Sequence, residues 1–335
     1  MGFSFVSKTV IAQADTIVNS YNSRLSGASK KFSFVHISDV HIGESMGDYG
    51  SVGFDDFPHK SFTGYSVQRL KKAVEWINEN AKKLDIHFVA VTGDLTDSGE
   101  RSEFMKCKEL LDMLTVPYIP LIGNHDVWPY ISEEIESSHP NGDSVLNEIF
   151  SETFDNLKTF FQNWNDGTKN TRIFNPETKS YNYLQNFSFQ YKDHVFIFGD
   201  FSSRYHATYP PGPGIGPQAN LMDFEGGSWD WWKREIQQHS SKKKNNVFLF
   251  SHHPPTKDPW AFVNSFSFRE YRKITRFLHH HKHQLAAWFA GHIHRDKVYG
   301  VSKWNKNSQV IWGVETAANK DFEHGHFRII EVYGK

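Results

Sequence analysis

The chain has 335 residues, a formal net charge of −1, 38% apolar residues and 16% aromatic ones. That length supports one large domain or two ordinary ones with a sizeable core, and the balanced charge gives no sign of a nucleic-acid footprint. Cys107 is the single cysteine, which excludes intrachain disulfides and thiolate metal sites.

Val10, Ala14, Ile17, Tyr21 and Leu25 recur at helical spacing ahead of Gly27, predicting a helical extension over residues 1–31. From Lys31 the pattern becomes strand, loop, helix, strand. The run Phe34-Val35-His36-Ile37 leads into Asp39-Val40-His41. Leu70, Val74, Ile77, Ala81 and Leu84 then line one helical face, with Ser66 as the expected N-cap. The apolar run His87 to Val91 ends at Gly93-Asp94, and Asp97 with Glu100 resembles a capping pair for a helix through Leu114. Tyr118 to Ile122 ends at Gly123-Asn124-His125-Asp126 and closes a βαβαβ unit, the pattern of a mostly parallel sheet covered by helices.

Residues 127–180 lose this regularity. Trp128, Phe150, Phe154, Phe160, Phe161 and Trp164 make the stretch too aromatic for disorder, and its length predicts an inserted helical cap. Tyr181–Gln190 and His194–Gly199 predict a hairpin around Tyr191-Lys192-Asp193. Residues 207–220, rich in Pro and Gly, predict a loop. A helix near Trp229–His239 and the strand Val247–Phe250 follow, the strand ending at Ser251-His252-His253. A helix near Phe266–His281 precedes the strand Ala286–Phe289, which ends at Gly291-His292-Ile293-His294. Short strands are expected near Val298, Val310 and Phe327–Val332. Without repeat or linker, residues 32–335 read as one domain carrying the insert. No apolar run reaches the roughly 18 residues of a membrane span, and no signal-peptide core opens the chain. A cytoplasmic protein is the default expectation; the alternative is a secreted or periplasmic form whose leader has been removed.

The five polar signatures all follow apolar strand-like runs, and open α/β sheets bind ligands beyond the carboxyl ends of their strands. Asp39, His41, Asp94, Asn124, His252, His292 and His294 supply nitrogen and oxygen donors only. Such sets suit Zn, Fe, Mn or Co better than Mg or Ca. Two cations about 3.5–4 Å apart clamp an in-line phosphoryl displacement and bring water's pKa near neutrality. Hydrolysis of an anionic ester is the matching reaction class. Gly199-Asp200 repeats one signature, but the companion donor positions are already filled, so Asp200 is expected to be structural. Arg204 and His206 are expected at the surface, and His36, His87, His253 and Asp97 as packing or capping groups.

In this order the five blocks resemble the calcineurin-like metallophosphoesterase superfamily, over roughly Phe32 to Arg295. Their form is closest to the bacterial cyclic-nucleotide and glycerophosphodiester phosphodiesterase branch. The resemblance implies an α/β (α+β) fold, a four-layer αββα sandwich of two mixed β-sheets flanked by helices with an inserted cap. It also implies two divalent or trivalent transition-metal ions, Mn, Fe or Zn. The first ion would take Asp39, His41 and His294, the second Asn124, His252 and His292, with Asp94 bridging. His252 is preferred over His253 because it stands two residues before Pro254; the alternative places His253 in the shell. His125 matches the histidine that contacts the phosphate and protonates the leaving oxygen, and Asp126 is expected to hold its other ring nitrogen. Leu95-Thr96-Asp97 stands where purple acid phosphatases carry a metal-ligating tyrosine, which argues against a charge-transfer Fe(III) centre.

The reaction so implied is phosphodiester or phosphomonoester hydrolysis by a metal-bridging hydroxide. Its substrate would be a small or medium organic phosphate, with no nucleic acid expected and no oligomeric state legible. The competing readings are a catalytically weak binding scaffold on the same fold and a lipid, sphingomyelinase-like phosphodiesterase.

Overall fold

Alternation along a few strands sorts the molecule into layers. The computed structural model describes residues 3–12, 16–22, 26–44, 64–127, 142–204, 219–240, 246–256, 265–301 and 310–334. Its first elements are strands β1 (Phe3–Ile11) and β2 (Thr16–Asn22), where helical spacing predicted a helix. The correction has a non-local cause. β1 pairs along its whole length with β15 (His326–Gly334), and that ladder overrides a weak local signal.

β15 also pairs with β3 (Ser29–Ile37), and β3 runs parallel to β4 (Ile86–Thr92), itself parallel to β5 (Tyr118–Leu121). The first sheet therefore has the order β2-β1-β15-β3-β4-β5. Helix α1 (Tyr65–Leu84) buries Val67, Leu70, Ala73, Val74, Ile77 and Ala81, as its periodicity predicts. Its N-cap is Gly64, whereas Ser66 lies buried within the first turn. Helix α2 (Arg101–Leu111) is capped by Glu100 with Glu103 in a capping box, one step beyond the expected Asp97–Glu100 pair.

The segment read as a cap is partly woven into the second sheet. Helices α3 (Gly142–Ile149) and α4 (Ser151–Phe160) match the helical expectation. They are followed by β6 (Gln162–Asn165), which adds to a sheet edge, and by a small hairpin of β7 (Ile173–Asn175) and β8 (Ser180–Asn182). Trp128 and the rest of 128–141 lie outside the described residues, as do 205–218 of the Pro/Gly loop. The expected hairpin forms from β9 (Phe187–Tyr191) and β10 (His194–Phe198), but its first strand begins at Phe187 rather than Tyr181, because Tyr181 and Asn182 pair within β8.

β11 (Asn246–Phe250) and β12 (Leu285–Ala290) run parallel to β10, and β13 (Lys297–Gly300) and β14 (Trp312–Glu315) complete the sheet. Its order is β13-β14-β12-β11-β10-β9-β6. Phe196, Phe248, Phe250 and Phe289 point toward the first sheet and meet Phe34 there; the Phe34 and Phe289 centroids lie 5.5 Å apart. Their neighbours Val195, Ile197, Leu249 and Trp288 point outward onto helices α5 (Ser228–Ser240) and α6 (Phe268–His281). The period-2 pattern thus yields two mixed sheets face to face with helices outside. Among the described residues, no helix is long and apolar enough to cross a membrane.

Candidate metal centre

Five of the expected donors sit in left-handed backbone: Asp39 at φ 55°, His41 at 50°, Asp94 at 48°, His292 at 69° and His294 at 53°. For a non-glycine residue that conformation costs roughly 1–2 kcal/mol, and such strain gathers at functional sites. Here it turns the chain sharply where β3, β4 and β12 end. Two glycines make room for those turns. A Cβ on Gly123 would come within 2.2 Å of Asp94 Oδ1, and one on Gly291 within 2.2 Å of Asp39 Oδ2.

The result is one cluster. Asp94 Oδ2 lies 3.5 Å from His41 Nε2 and 3.1 Å from His252 Nε2. His252 Nε2 is also 3.0 Å from Asn124 Oδ1 and 3.2 Å from His292 Nδ1. His294 Nε2 stands 3.4 Å from Asp39 Oδ1, and the His292 backbone N–H donates to both Asp39 oxygens at 3.0 Å. Asp39, His41 and His294 offer one group of convergent donor atoms, and Asp39, Asp94 and His252 another. All seven expected donors therefore meet where strand ends of the two sheets come together. Asp39, His41, Asp94, Asn124 and His252 are buried, while the His294 side chain is 31% exposed and that of His125 20%. The donors form a floor, and these two imidazoles form its open rim.

Hydrogen bonds select which nitrogen each ring presents. The Thr92 carbonyl lies 2.8 Å from His252 Nδ1 and can only accept, so Nδ1 carries the proton and Nε2 faces Asp94 and Asn124. Asp97 Oδ1, 2.7 Å from His41 Nδ1, does the same for His41, whose buried Nε2 has no hydrogen-bond partner. Buried lone pairs directed at one another fit a cation. Burial opposes charge on His252, yet the Asp94 carboxylate outweighs it and lifts the ring to about 9. His294 is likewise raised against burial, to about 10, by Asp321 and Asp39. Asp94 is held well below the usual carboxylate range, its burial outweighed by the surrounding histidines.

Residues 32–296 match the calcineurin-like phosphoesterase family. The chain belongs to that family. Calcineurin-like phosphoesterases are metal-dependent hydrolases of phosphoesters, and that is the reaction class of this chain. It is 25% identical over 275 residues to the probable glycerophosphodiester phosphodiesterase GpdQ of Arcobacter nitrofigilis, covering 81% of this chain and 74% of that protein. Among solved structures it is similar to the purple acid phosphatase PPD1 of yellow lupin, with TM-score 0.49 and 14% identity. That match covers 89% of this chain and spans only 46% of the lupin chain. It is also similar to GAP50 of Plasmodium, with TM-score 0.42, 11% identity, and 87% and 73% of the two chains covered.

Several residues of this phosphoesterase differ from their expected roles. Asp126 does not hold the His125 ring; the Asp97 carbonyl does, 2.7 Å from Nδ1. Both Asp126 oxygens are occupied instead by the N–H groups of Leu95, Thr96 and Gly123 and by the Thr96 hydroxyl, so it clamps two signature loops together. Asp97, expected as a cap, is 4% exposed and faces both His41 and His125. A carboxylate three residues beyond Gly93-Asp94 was the available signal. His253 is buried behind His252, in a donor group with His252 and His292, and has no hydrogen-bond partner on either nitrogen. Arg204, expected at the surface, is 1% exposed and held by Asp200 and Asp143, which gives Asp200 its structural role. His206 lies outside the described residues.

Proposed function

We propose that this chain hydrolyses a small organic phosphodiester at a pair of transition-metal ions. One observation carries the pairing: a single carboxylate, Asp94, reaches His41 at 3.5 Å on one side and His252 at 3.1 Å on the other. Asp39, His41 and His294 would hold one ion, and Asn124, His252 and His292 the other. When bound, such a pair supplies charge to the phosphoryl oxygens and an activated solvent nucleophile.

The protein's own groups do the rest. Asp39 and Asp94 face inward as fixed negative charges, and the carbonyl and carboxylate behind His252 and His41 keep each Nε2 directed at the site. His125 stands on the open rim with Nδ1 donating to the Asp97 carbonyl, so Nε2 is the ring nitrogen that would carry a proton to substrate. That is the arrangement a proton donor to a departing alkoxide needs. The diester preference is supported by the printed activity of the Arcobacter relative. A pure binding scaffold is disfavoured because every donor position is filled.

The test is hydrolysis of bis-p-nitrophenyl phosphate and p-nitrophenyl phosphate with added Mn²⁺, in wild type and Asp94→Asn, beside metal counts on both. Faster diester turnover, two metals per chain and near-complete loss in the variant are expected. Equal rates in the two proteins, or one metal per wild-type chain, would defeat the reading.

A further inference from the structure

Composition showed no concentrated basic face, but the fold builds one. On the outer side of the second sheet, a cavity of ≈ 790 Å³ opens along α5 and α6. It lies beyond the outward-facing layer of Trp232 and Trp288, whereas the metal donors gather at the strand ends. Arg269, Arg272 and Arg276 line it from α6. At spacings of three and four residues they share one helix face and span about 10 Å along the axis.

Among the described residues, these arginines are not neutralised. Lys273, also in the lining, is taken by Asp223, and Lys233 lies 3.9 Å from Asp230. None of the three arginines has a carboxylate partner among the described residues, and their exposed side chains sit in a chain of net charge −1. Guanidinium forks match phosphate oxygens two at a time. Cations spread over that length suit several linked phosphates better than one. Beside them Phe268 is 61% exposed, an unusual position for a large aromatic, with the Arg272 guanidinium 5.6 Å over its ring. A flat aromatic face next to phosphate-binding cations is a stacking platform for a base.

The geometry points to a second ligand site on this phosphoesterase, a groove for a nucleoside polyphosphate distinct from the metal centre. Its volume is that of a small-molecule pocket.

The test is calorimetric titration of the metal-loaded enzyme with the Mg²⁺ complex of a β,γ-methylene nucleoside triphosphate. Parallel titrations use tripolyphosphate, a single-stranded oligonucleotide and phosphatidylserine vesicles. Saturable binding of the nucleotide is expected, weakened at least tenfold in Arg272→Ala/Arg276→Ala. Phe268→Ala should weaken nucleotide binding while leaving tripolyphosphate unaffected. Asp94→Asn should keep nucleotide binding, which separates this proposal from the hydrolytic one. The double arginine variant should also retain wild-type hydrolysis of bis-p-nitrophenyl phosphate, showing that it folds. Absence of saturable nucleotide binding would overturn the assignment, as would binding indifferent to the arginine substitutions. So would tighter binding to oligonucleotide or vesicles.

Discussion

Gly291→Ala isolates the crowding that shapes the metal centre. Gly291 does not occupy left-handed backbone, so alanine meets no conformational penalty there, only a collision. Its methyl carbon would lie 1.8 Å from Ser38 Oγ and 2.2 Å from Asp39 Oδ2, against the 3.4 Å where ordinary contact begins. Relief requires a shift of more than 1 Å in the Asp39 carboxylate or in the turn carrying His292 and His294. A misplacement of about 1 Å at reacting groups costs on the order of a hundredfold in rate. The expected result is therefore about a hundredfold loss in kcat/KM for bis-p-nitrophenyl phosphate, with weakened Mn²⁺ binding. Gly227→Ala is the matched control, because its Cβ would come within 2.1 Å of the Met222 carbonyl, in the turn leading into α5. That variant should lose thermal stability but keep the activity of its folded fraction. If Gly291→Ala retained most of its activity and metal affinity, the close packing of Asp39 against the β12 turn would not be what positions the donors.

Three further outcomes are expected. Asp97→Ala removes the acceptor that orients His41 and should lower Mn²⁺ affinity roughly 10–100-fold; Asp97→Asn, which keeps an acceptor oxygen, should recover much of it in a metal titration. Arg204→Met strands the buried carboxylates of Asp200 and Asp143 and should cost about 3–5 kcal/mol by urea unfolding. Adding Asp143→Asn and Asp200→Asn should restore most of that loss. His36 is buried between the hydroxyls of Thr92 and Thr316, and burial with the Arg328 charge pushes it from 6.5 down to about 3. Because the unfolded chain takes up this proton first, the stabilisation is complete above pH 6.5 and is lost as pH falls toward 3. The full swing is roughly 4–5 kcal/mol, so chelator-treated wild type should weaken with acid more steeply than His36→Gln in urea titrations. Equal slopes would contradict it.

The donors were legible because each of the five signatures that carry them follows a strand, and a strand end is a local signal. The apolar runs that hold Phe34, Phe88, Phe248 and Phe289 likewise marked strands β3, β4, β11 and β12. What the sequence hid depends on partners distant in the chain. Val10, Ile17 and Tyr21 fit a helix until β15, more than 300 residues away, supplies a ladder for β1. Arg204 reads as a surface cation until the fold brings Asp143 from α3 against it. Asp126 was assigned to its sequence neighbour His125, yet its true partners lie on the Gly93–Thr96 loop. The arginines of α6 vanished into a net charge of −1 because only a second helix turns their row into a groove.

The position of β15 also constrains how the chain is made. This strand fills the middle of the first sheet, between β1 and β3, although it comes last in chain order among the described strands. While the ribosome is still translating upstream residues, β3 has β4 beside it but an open flank on its other side. That flank presents bare amide and carbonyl groups, a template for chain-to-chain pairing. Newborn copies should thus be most prone to clump just before residues 326–334 emerge, and chaperone demand should peak there.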